Sequence, residues 1–230
     1  MKIGGFQKTS LLDYPDRISA IVWVSGCNFR CPFCYNKNLA LGTRELFPED
    51  EILSFLSKRK EQLEGVVISG GEPLFQEDIV DFIEKIKKHR FPVKIDTNGA
   101  FPEKLGELLE KQLVDYIAMD VKAPKRKYRE LVGVDVDISK IEASIDLIKN
   151  KAPSYEFKTT FVPDLLKKED IVEIAKWIEG ADAYYLQQFK PISPLMSSAF
   201  ENAIPYPRDY FLETLTAIKP FFKRCVVRGI

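Results

Sequence analysis

Short apolar runs rich in β-branched residues alternate along the chain with longer segments in which apolar residues recur at helical spacing. We predict strands at residues 18–24, 66–69, 93–96, 116–120, 157–162 and 184–188, with a short terminal strand at 225–227. We predict helices at residues 48–63, 77–89, 102–112, 138–149, 168–178 and 207–222. The clearest helix is the second, because Ile79, Phe82, Ile83 and Ile86 fall on one face of it.

The alternation of strands and helices predicts an α/β fold. Strand–helix repetition implies a parallel sheet with right-handed crossovers, and nearly all-apolar strands suit a sheet that is covered on both faces. The pattern is compatible with an open doubly wound sheet or with a partial barrel. We predict a partial (β/α)6 barrel of parallel strands in a single domain over residues 1–230, with residues 191–207 as an ordered surface loop.

Polar and glycine-containing segments follow five of the predicted strands directly. In parallel α/β folds the carboxyl ends of the strands share one rim, and active sites form there. The segments are Cys27 after the first strand, Ser69-Gly70-Gly71-Glu72-Pro73 after the second, Asp96-Thr97-Asn98-Gly99 at the third, Asp120-Val121-Lys122 at the fourth and Gln187-Gln188-Phe189 at the sixth. Their convergence predicts a single active site on that rim.

The charge balance limits the classes of partner. The 230 residues contain 34 Lys plus Arg and 34 Asp plus Glu, so net charge does not favour binding to nucleic acid or to a membrane. No apolar run approaches the roughly 20 residues that span a bilayer. Residues 1–10 lack the apolar core of a secretory signal. We therefore expect a cytoplasmic protein.

Three closely spaced cysteines are the most specific chemical feature. Cys27, Cys31 and Cys34 have the spacing C-x3-C-x2-C, which supplies three thiolates to one inorganic centre. A four-iron cubane held by three cysteines has one iron without a protein ligand. Structural zinc is the alternative, but it needs four ligands, and the remaining candidates are His89, in a predicted helix, and Cys225, in a predicted strand.

The cysteine pattern together with a second motif resembles the radical S-adenosylmethionine (radical SAM) superfamily. Phe33 completes the pattern C-x3-C-x-aromatic-C, and Gly70-Gly71-Glu72-Pro73 is similar to the family motif that binds the amino group of S-adenosylmethionine (SAM). The resemblance implies a 4Fe-4S cluster, SAM as the second cofactor, and reductive cleavage of SAM to methionine and a 5′-deoxyadenosyl radical. Cys27, Cys31 and Cys34 would then be the catalytic cluster ligands.

Within this superfamily the chain is most similar to the activases of glycyl radical enzymes, above all to those of anaerobic ribonucleoside-triphosphate reductase. The segments that carry this resemblance are residues 5–15, 26–32, 96–99, 120–122 and 185–189. It implies a glycyl radical enzyme as partner and flavodoxin or ferredoxin as electron donor. A radical SAM enzyme acting on a small molecule or another peptide remains the alternative. Tyr35 departs from the pattern, since relatives commonly have His there.

The resemblance also implies roles for several residues on the rim. Asp96, Thr97 and Asp120 match acidic segments that hold a monovalent cation beside the SAM carboxylate in related activases, although the two aspartates could instead cap helices. Lys122 would neutralise that carboxylate. The other expected cofactor contacts are Tyr35, Asn36, Asn98, Gln188 and Phe189. Phe189 could stack on adenine or pack in the core.

Overall fold

Eight strands, here β1 to β8, form one sheet in which their spatial order equals their order in the chain. The computed structural model describes residues 1–230. The strands are β1 Ile3–Tyr14, β2 Arg17–Val24, β3 Gly65–Gly70, β4 Val93–Thr97, β5 Tyr116–Asp120, β6 Tyr155–Phe161, β7 Ala183–Gln188 and β8 Arg224–Arg228. β1 pairs with β2 antiparallel, and every later neighbouring pair is parallel.

Helices connect the parallel strands. They are α1 Lys37–Ala40, α2 Glu49–Lys58, α3 Ile79–Lys88, α4 Pro102–Glu110, α5 Tyr128–Val132, α6 Ile138–Lys151, α7 Lys168–Trp177 and α8 Arg208–Ile218. Short 3-10 helices lie at Pro73–Phe75, Lys125–Lys127, Ser198–Phe200 and Lys219–Phe221. The predicted α/β class with a mainly parallel sheet is confirmed, and β8 is a full seventh parallel strand.

The N-terminal strand β1 was not predicted from the sequence. Residues 7–9, Gln-Lys-Thr, are exposed, and the pairing of β1 with β2 is interrupted by register shifts, so no apolar run or regular alternation marks this strand. An edge strand needs apolar residues on one face only, and irregularities such as bulges are common there. The sheet therefore opens with an antiparallel hairpin before the predicted parallel series begins.

The core lies between the sheet and the helices. A cluster of 53 buried residues extends from Ile3 to Ile218 and includes residues from every strand except β8, whose Cys225 and Val227 pack against it. The predicted face of α3 is confirmed, because Ile79, Phe82, Ile83 and Ile86 are all buried. Lys residues occupy the last turn of α3, where positive charge is favourable beside the helix C-terminus.

No helix in the structure is both long enough and apolar enough to cross a membrane.

The parallel register brings the carboxyl ends of β2 to β6 to one rim. Residues 191–207 contain only a 3-10 turn at Ser198–Phe200, yet Leu195 within them is fully buried. This segment therefore packs onto the protein next to the same rim.

Candidate active site

A cavity of about 380 Å³ opens at the carboxyl ends of the parallel strands. It brings together most of the residues predicted from the sequence: Cys27, Cys31, Phe33, Cys34, Tyr35, Asn36, Gly70, Gly71, Glu72, Asp96, Thr97, Asn98, Asp120 and Lys122. Pro73, Gln188 and Phe189 do not line it. Segments that are far apart in the sequence thus share one cavity, as the strand-end pattern predicted.

The cysteine loop, residues 27–34, is held from several sides by backbone hydrogen bonds. The Arg30 N–H donates to the Val132 carbonyl at the end of α5 (2.7 Å), and the Ser197 N–H donates to the Pro32 carbonyl (2.8 Å). The Met196 N–H donates to the Cys34 carbonyl (3.2 Å). The loop has no regular secondary structure of its own, so these contacts fix its path.

The three cysteines of this loop are free thiols in a shared, largely buried setting. Burial raises the pKa of Cys27 to about 12 and the pKa of Cys31 to about 11. Iron binding would therefore have to displace protons from these thiols. No three His, Cys, Asp or Glu side chains converge closely enough to hold a single metal ion. Three thiols spread around one cavity fit a cubane, in which each cysteine binds a different iron.

Gly70, the last residue of β3, and Gly71 pack directly on the backbone just before the cysteine loop. Gly70 has a φ of +115°, and a Cβ there would lie 2.6 Å from the Val24 carbonyl oxygen. A Cβ on Gly71 would overlap the backbone of Gly26. The Gly71 N–H donates to the Val24 carbonyl (2.9 Å). Only glycine permits this approach, which also leaves backbone exposed to the cavity.

Glu72 connects the turn after β3 to the end of β4. Its side chain is buried and accepts hydrogen bonds from the Leu74 N–H (3.0 Å), the Thr97 hydroxyl (2.7 Å) and the Asn98 N–H (2.7 Å). Burial raises the pKa of Glu72 to about 7, and these hydrogen bonds limit the rise. The carboxylate is thus engaged by the protein itself, and the motif offers mainly backbone groups to a ligand.

Asn98 links the end of β4 to the cysteine loop. Its side-chain amide donates to Oδ1 of Asn28 (2.8 Å), and its Oδ1 accepts from the Ala100 N–H (3.0 Å). Asn28 lies directly after Cys27 and was not singled out from the sequence. This bridge couples the position of the first cysteine to β4.

Three lysines surround the two aspartates of the predicted cation site. Lys94 contacts Asp96 at 2.6 Å and Lys122 contacts Asp120 at 3.1 Å. Lys158 lies 3.6 Å from Asp96 and 3.7 Å from Asp120. Burial opposes ionisation of Asp96, but Lys158 and Lys94 hold the pKa of this carboxyl well below its usual range. Asp96 is therefore charged, and both aspartates already have lysine ammonium groups as partners.

Lys94 and Lys158 were missed in the sequence analysis. Each lies inside a strand that is otherwise almost entirely buried. A lysine in a central strand needs a partner charge because an isolated buried charge is costly. A lysine within an apolar strand was therefore a signal in the sequence that acidic residues lie on neighbouring strands.

A second cavity of about 410 Å³ adjoins the first. The residues common to both linings are Asp13, Tyr35, Asp96, Lys158 and Gln187. Gln188 lines this second cavity, and its Oε1 is buried without a hydrogen-bond partner. Two exposed apolar side chains, Leu12 and Ile192, line the same cavity and are 92% and 60% exposed.

Tyr35 stands between the two cavities. Its ring stacks on Phe189 with centroids 5.8 Å apart, and its hydroxyl accepts from the Lys190 N–H (2.7 Å). Phe189 itself is fully buried and lines neither cavity. The structure therefore does not bring Phe189 to the adenosine position considered above. The ring of Phe189 is instead packed beneath the ring of Tyr35.

Comparison with known proteins identifies the family. The family model of the radical SAM superfamily matches residues 21–179, which include the cysteine loop and strands β3 to β6. The chain belongs to the radical SAM superfamily. It is accordingly an enzyme that uses a 4Fe-4S cluster and SAM, and the zinc-stabilised binding module considered above is set aside.

Similarity to one curated protein covers the whole chain. A protein of Methanocaldococcus jannaschii, provisionally named as a glycyl-radical enzyme activating enzyme, is 38% identical over 99% of this chain and 96% of its own length. This similarity supports an architecture shared from end to end.

Two solved structures share the fold. SuiB of Streptococcus suis, bound to a precursor peptide, matches 91% of this chain with a TM-score of 0.66 and 17% identity. This chain spans 48% of that protein's length. A domain of pyruvate-formate lyase-activating enzyme from Bacteroides vulgatus matches 72% of this chain and 99% of its own, with a TM-score of 0.56 and 14% identity. At these identities the likeness concerns the fold alone.

Proposed function

We propose that this radical SAM enzyme is an activase that installs a glycyl radical on a partner enzyme. The observation that carries the proposal is the 38% identity to the Methanocaldococcus jannaschii protein over nearly the full length of both chains. That protein carries the provisional name of a glycyl-radical enzyme activating enzyme. The similarity covers the segments after β5 as well as the cysteine loop, so it is not confined to the superfamily motifs.

The second cavity supports a substrate that is a protein segment. It joins the cofactor cavity through five shared residues and is bordered by the exposed side chains of Leu12 and Ile192. Exposed apolar side chains at the mouth of a cavity favour contact with another protein. The unpartnered Oε1 of Gln188 in this cavity offers an acceptor to a peptide N–H.

We assign the residues of the first cavity distinct proposed roles. Cys27, Cys31 and Cys34 hold the cluster, and the backbone at Gly70 and Gly71 faces the amino group of SAM. The buried Phe33 and the ring of Tyr35 keep water from the site. Lys122 and Asn98 contribute a positive charge and a hydrogen-bonded bridge to the cysteine loop. Asn36 lines the cavity beside Tyr35.

Held by Cys27, Cys31 and Cys34, the cluster would supply one electron for the reductive cleavage of SAM to methionine and a 5′-deoxyadenosyl radical able to take a hydrogen atom from a glycine Cα. The chain's own residues orient the reactants and exclude other hydrogen donors. A neighbouring cavity that shares five lining residues with the cofactor cavity offers a place for the glycine of a partner's loop.

The partner we propose is an anaerobic ribonucleoside-triphosphate reductase, with flavodoxin or ferredoxin as electron donor. Support comes from the segments at residues 5–15, 26–32 and 185–189, which resemble activases of that reductase. Residues 12, 13 and 15 of the first segment line the second cavity, where the partner's loop would lie.

The test uses the anaerobically reconstituted enzyme, SAM, dithionite and the ribonucleoside-triphosphate reductase of the same organism labelled with Cα-deuterated glycine. We expect an electron paramagnetic resonance (EPR) signal of a glycyl radical on the reductase, and deuterium in the 5′-deoxyadenosine produced. Formation of 5′-deoxyadenosine without a radical on the reductase would reject this partner. Deuterium acquired instead from an added small molecule would support the alternative function.

The cysteines provide a matched control within the same experiment. Cys34→Ser should abolish the reduced-cluster EPR signal, because it removes one of three cluster ligands. Cys225→Ser should retain that signal, since Cys225 lies in β8 and lines neither cavity. Equal cluster content in the two variants would contradict the ligand assignment.

A further inference from the structure

The two aspartates that the family resemblance associates with a monovalent cation are neutralised by lysines in this protein. Lys94 contacts Asp96 at 2.6 Å, Lys122 contacts Asp120 at 3.1 Å, and Lys158 lies within 3.7 Å of both carboxylates. All five side chains are at most 20% exposed. A site for a metal cation would leave carboxylate oxygens free for it, and here three of the four oxygens, Oδ1 of Asp96 and both oxygens of Asp120, face ammonium groups.

The strands themselves build this arrangement. Lys158 on β6 is paired in register with Asp120 on β5, so the two residues lie side by side across the sheet. Lys94 precedes Asp96 by two residues on β4, and residues two apart on a strand point to the same face. The ammonium groups are therefore placed by backbone pairing rather than by flexible surface side chains.

Thr97, the third predicted cation ligand, is directed elsewhere. Its hydroxyl donates to Glu72 at 2.7 Å and accepts from the Gly99 N–H at 3.1 Å. Adjacent residues of a strand point to opposite faces, so Thr97 and Asp96 diverge. The three predicted ligands do not converge on one point, and the donor set does not fit a bound metal cation.

We propose that the Lys158 ammonium takes the place of the monovalent cation, so that this enzyme binds SAM without sodium or potassium. Within this cluster of five residues, three ammonium groups face two carboxylates, and the surplus positive charge is available to the single carboxylate of SAM. An ammonium ion is itself a monovalent cation with three donors, and it is tethered to β6. The inference rests on family membership and holds whichever substrate the enzyme acts on.

The first test needs only the wild-type holoenzyme. SAM affinity is measured by equilibrium dialysis at constant ionic strength in potassium, in sodium and in tetramethylammonium, which is too large to enter a carboxylate site. We expect dissociation constants within about twofold of one another, because each tenfold step requires about 1.4 kcal/mol of interaction. The EPR line shape of the reduced cluster with SAM should also be the same in all three salts. A saturable gain of about tenfold or more in potassium or sodium would overturn the proposal.

The second test removes the internal cation. Lys158→Met preserves much of the chain length of the side chain and uncovers Asp96 and Asp120. We expect about tenfold weaker SAM binding in tetramethylammonium and partial recovery in potassium or sodium, since tenfold corresponds to about 1.4 kcal/mol. Lys111→Met, which removes an exposed lysine paired with Glu107, is the control and should bind SAM like the wild type in all salts. Unchanged affinity in Lys158→Met would also overturn the proposal.

Thermal unfolding of the cluster-free proteins gives a readout that is independent of catalysis. The melting temperature of the wild type should be the same in the three salts at equal ionic strength. The melting temperature of Lys158→Met should be lower and should rise with potassium or sodium, because these ions can pair with the uncovered carboxylates. If this variant does not fold, the salt series on the wild type decides the question alone.

Discussion

The backbone N–H of Glu72 donates to the carbonyl of Gly26 across 2.9 Å, which ties the turn after β3 to the residue that precedes the first cysteine. This hydrogen bond requires the two backbones to lie side by side. Gly71 lies at the point of closest approach, where a side chain would overlap Gly26. The glycines are therefore explained by the contact between two loops, quite apart from any ligand.

Replacing Gly71 by alanine should damage the cysteine loop. We expect Gly71→Ala to lower the free energy of unfolding by about 1–3 kcal/mol and to reduce cluster content, because the backbone of Gly26 has to move. Iron and sulfide analysis with urea unfolding measures both effects. Gly106→Ala is the matched control: its Cβ would meet only Leu147 at 3.9 Å, and alanine in a helix should stabilise by roughly 0.5–1 kcal/mol. Equal cluster content in the two variants would count against this explanation.

Two substitutions of Tyr35 separate the function of its ring from that of its hydroxyl. Tyr35→Phe removes an acceptor for the Lys190 N–H, which is near solvent, so SAM affinity should stay within about twofold. Tyr35→Ala removes a ring that lines the cofactor cavity, uncovers Phe189 and merges the two cavities. SAM binding should therefore weaken about tenfold, which corresponds to about 1.4 kcal/mol. Equilibrium dialysis measures both. Equal losses in the two variants would assign the effect to the hydroxyl.

The ion pair between Glu156 and Arg228 should stabilise the end of the sheet. Arg228 donates to both carboxylate oxygens of Glu156 (2.7 and 3.0 Å), and the Tyr116 hydroxyl donates to the same carboxylate (2.9 Å). Arg228→Gln leaves a carboxylate that is 2% exposed without its cation, so we expect a loss of about 2–3 kcal/mol.

A double-mutant cycle tests that pair directly. The variant that combines Glu156→Gln with Arg228→Gln should lose less free energy of unfolding than the sum of the single variants, by about 1 kcal/mol or more. The measurement is urea unfolding of the four proteins. Strict additivity would show that the two side chains contribute independently.

Asp170 should make stability depend on acid pH. Burial alone would raise the pKa of this carboxyl, but hydrogen bonds from the Lys127 ammonium and the Lys167 N–H, with Arg126 nearby, lower it. A carboxyl whose pKa is lower in the folded state stabilises the protein above its unfolded pKa of about 3.9. This contribution is lost as the pH falls through the folded pKa.

The corresponding measurement compares urea unfolding of the wild type and Asp170→Asn between pH 7 and pH 3. The variant should be about 1–3 kcal/mol less stable at pH 7, and the difference should shrink toward pH 3 as the wild-type carboxyl is protonated. Asp135→Asn is the control, because Asp135 is 83% exposed and pairs only with Arg129. A difference that stays constant with pH would show that ionisation of Asp170 is not the cause.

Local patterns predicted the parallel series well because each strand there is an apolar run and each amphipathic helix shows its period. The apolar positions of α3 follow from that periodicity. The predicted strand ends at Ser69, Asp96 and Asp120 lie within one residue of the observed ends. Strand β1 escaped prediction because an edge strand can alternate irregularly and expose polar residues. The strand propensity of its residues does not identify β1. Only its pairing with β2 in the structure identifies it as a strand.

The site could be predicted only in part, because the strand register determines which charged residues lie next to each other. The sequence shows each aspartate and lysine separately. It does not show that Lys158 lies beside Asp120, because this depends on how β6 aligns with β5. Phe189 shows a second reason why the prediction was incomplete. Its position after the end of a strand is compatible with either a contact to a ligand or a contact in the core. The structure places Phe189 in a buried position, stacked on the ring of Tyr35.

Residues from early and from late parts of the sequence contact the cysteine loop, and this has a consequence for biosynthesis. The turn after β3 contacts the loop early, whereas residues 196 and 197, which cover Cys34 and Pro32, lie beyond β7. Because this covering segment lies more than 160 residues after the cysteines in the sequence, the contacts at Cys34 and Pro32 form only once residues 196 and 197 have been synthesised and have packed onto the loop.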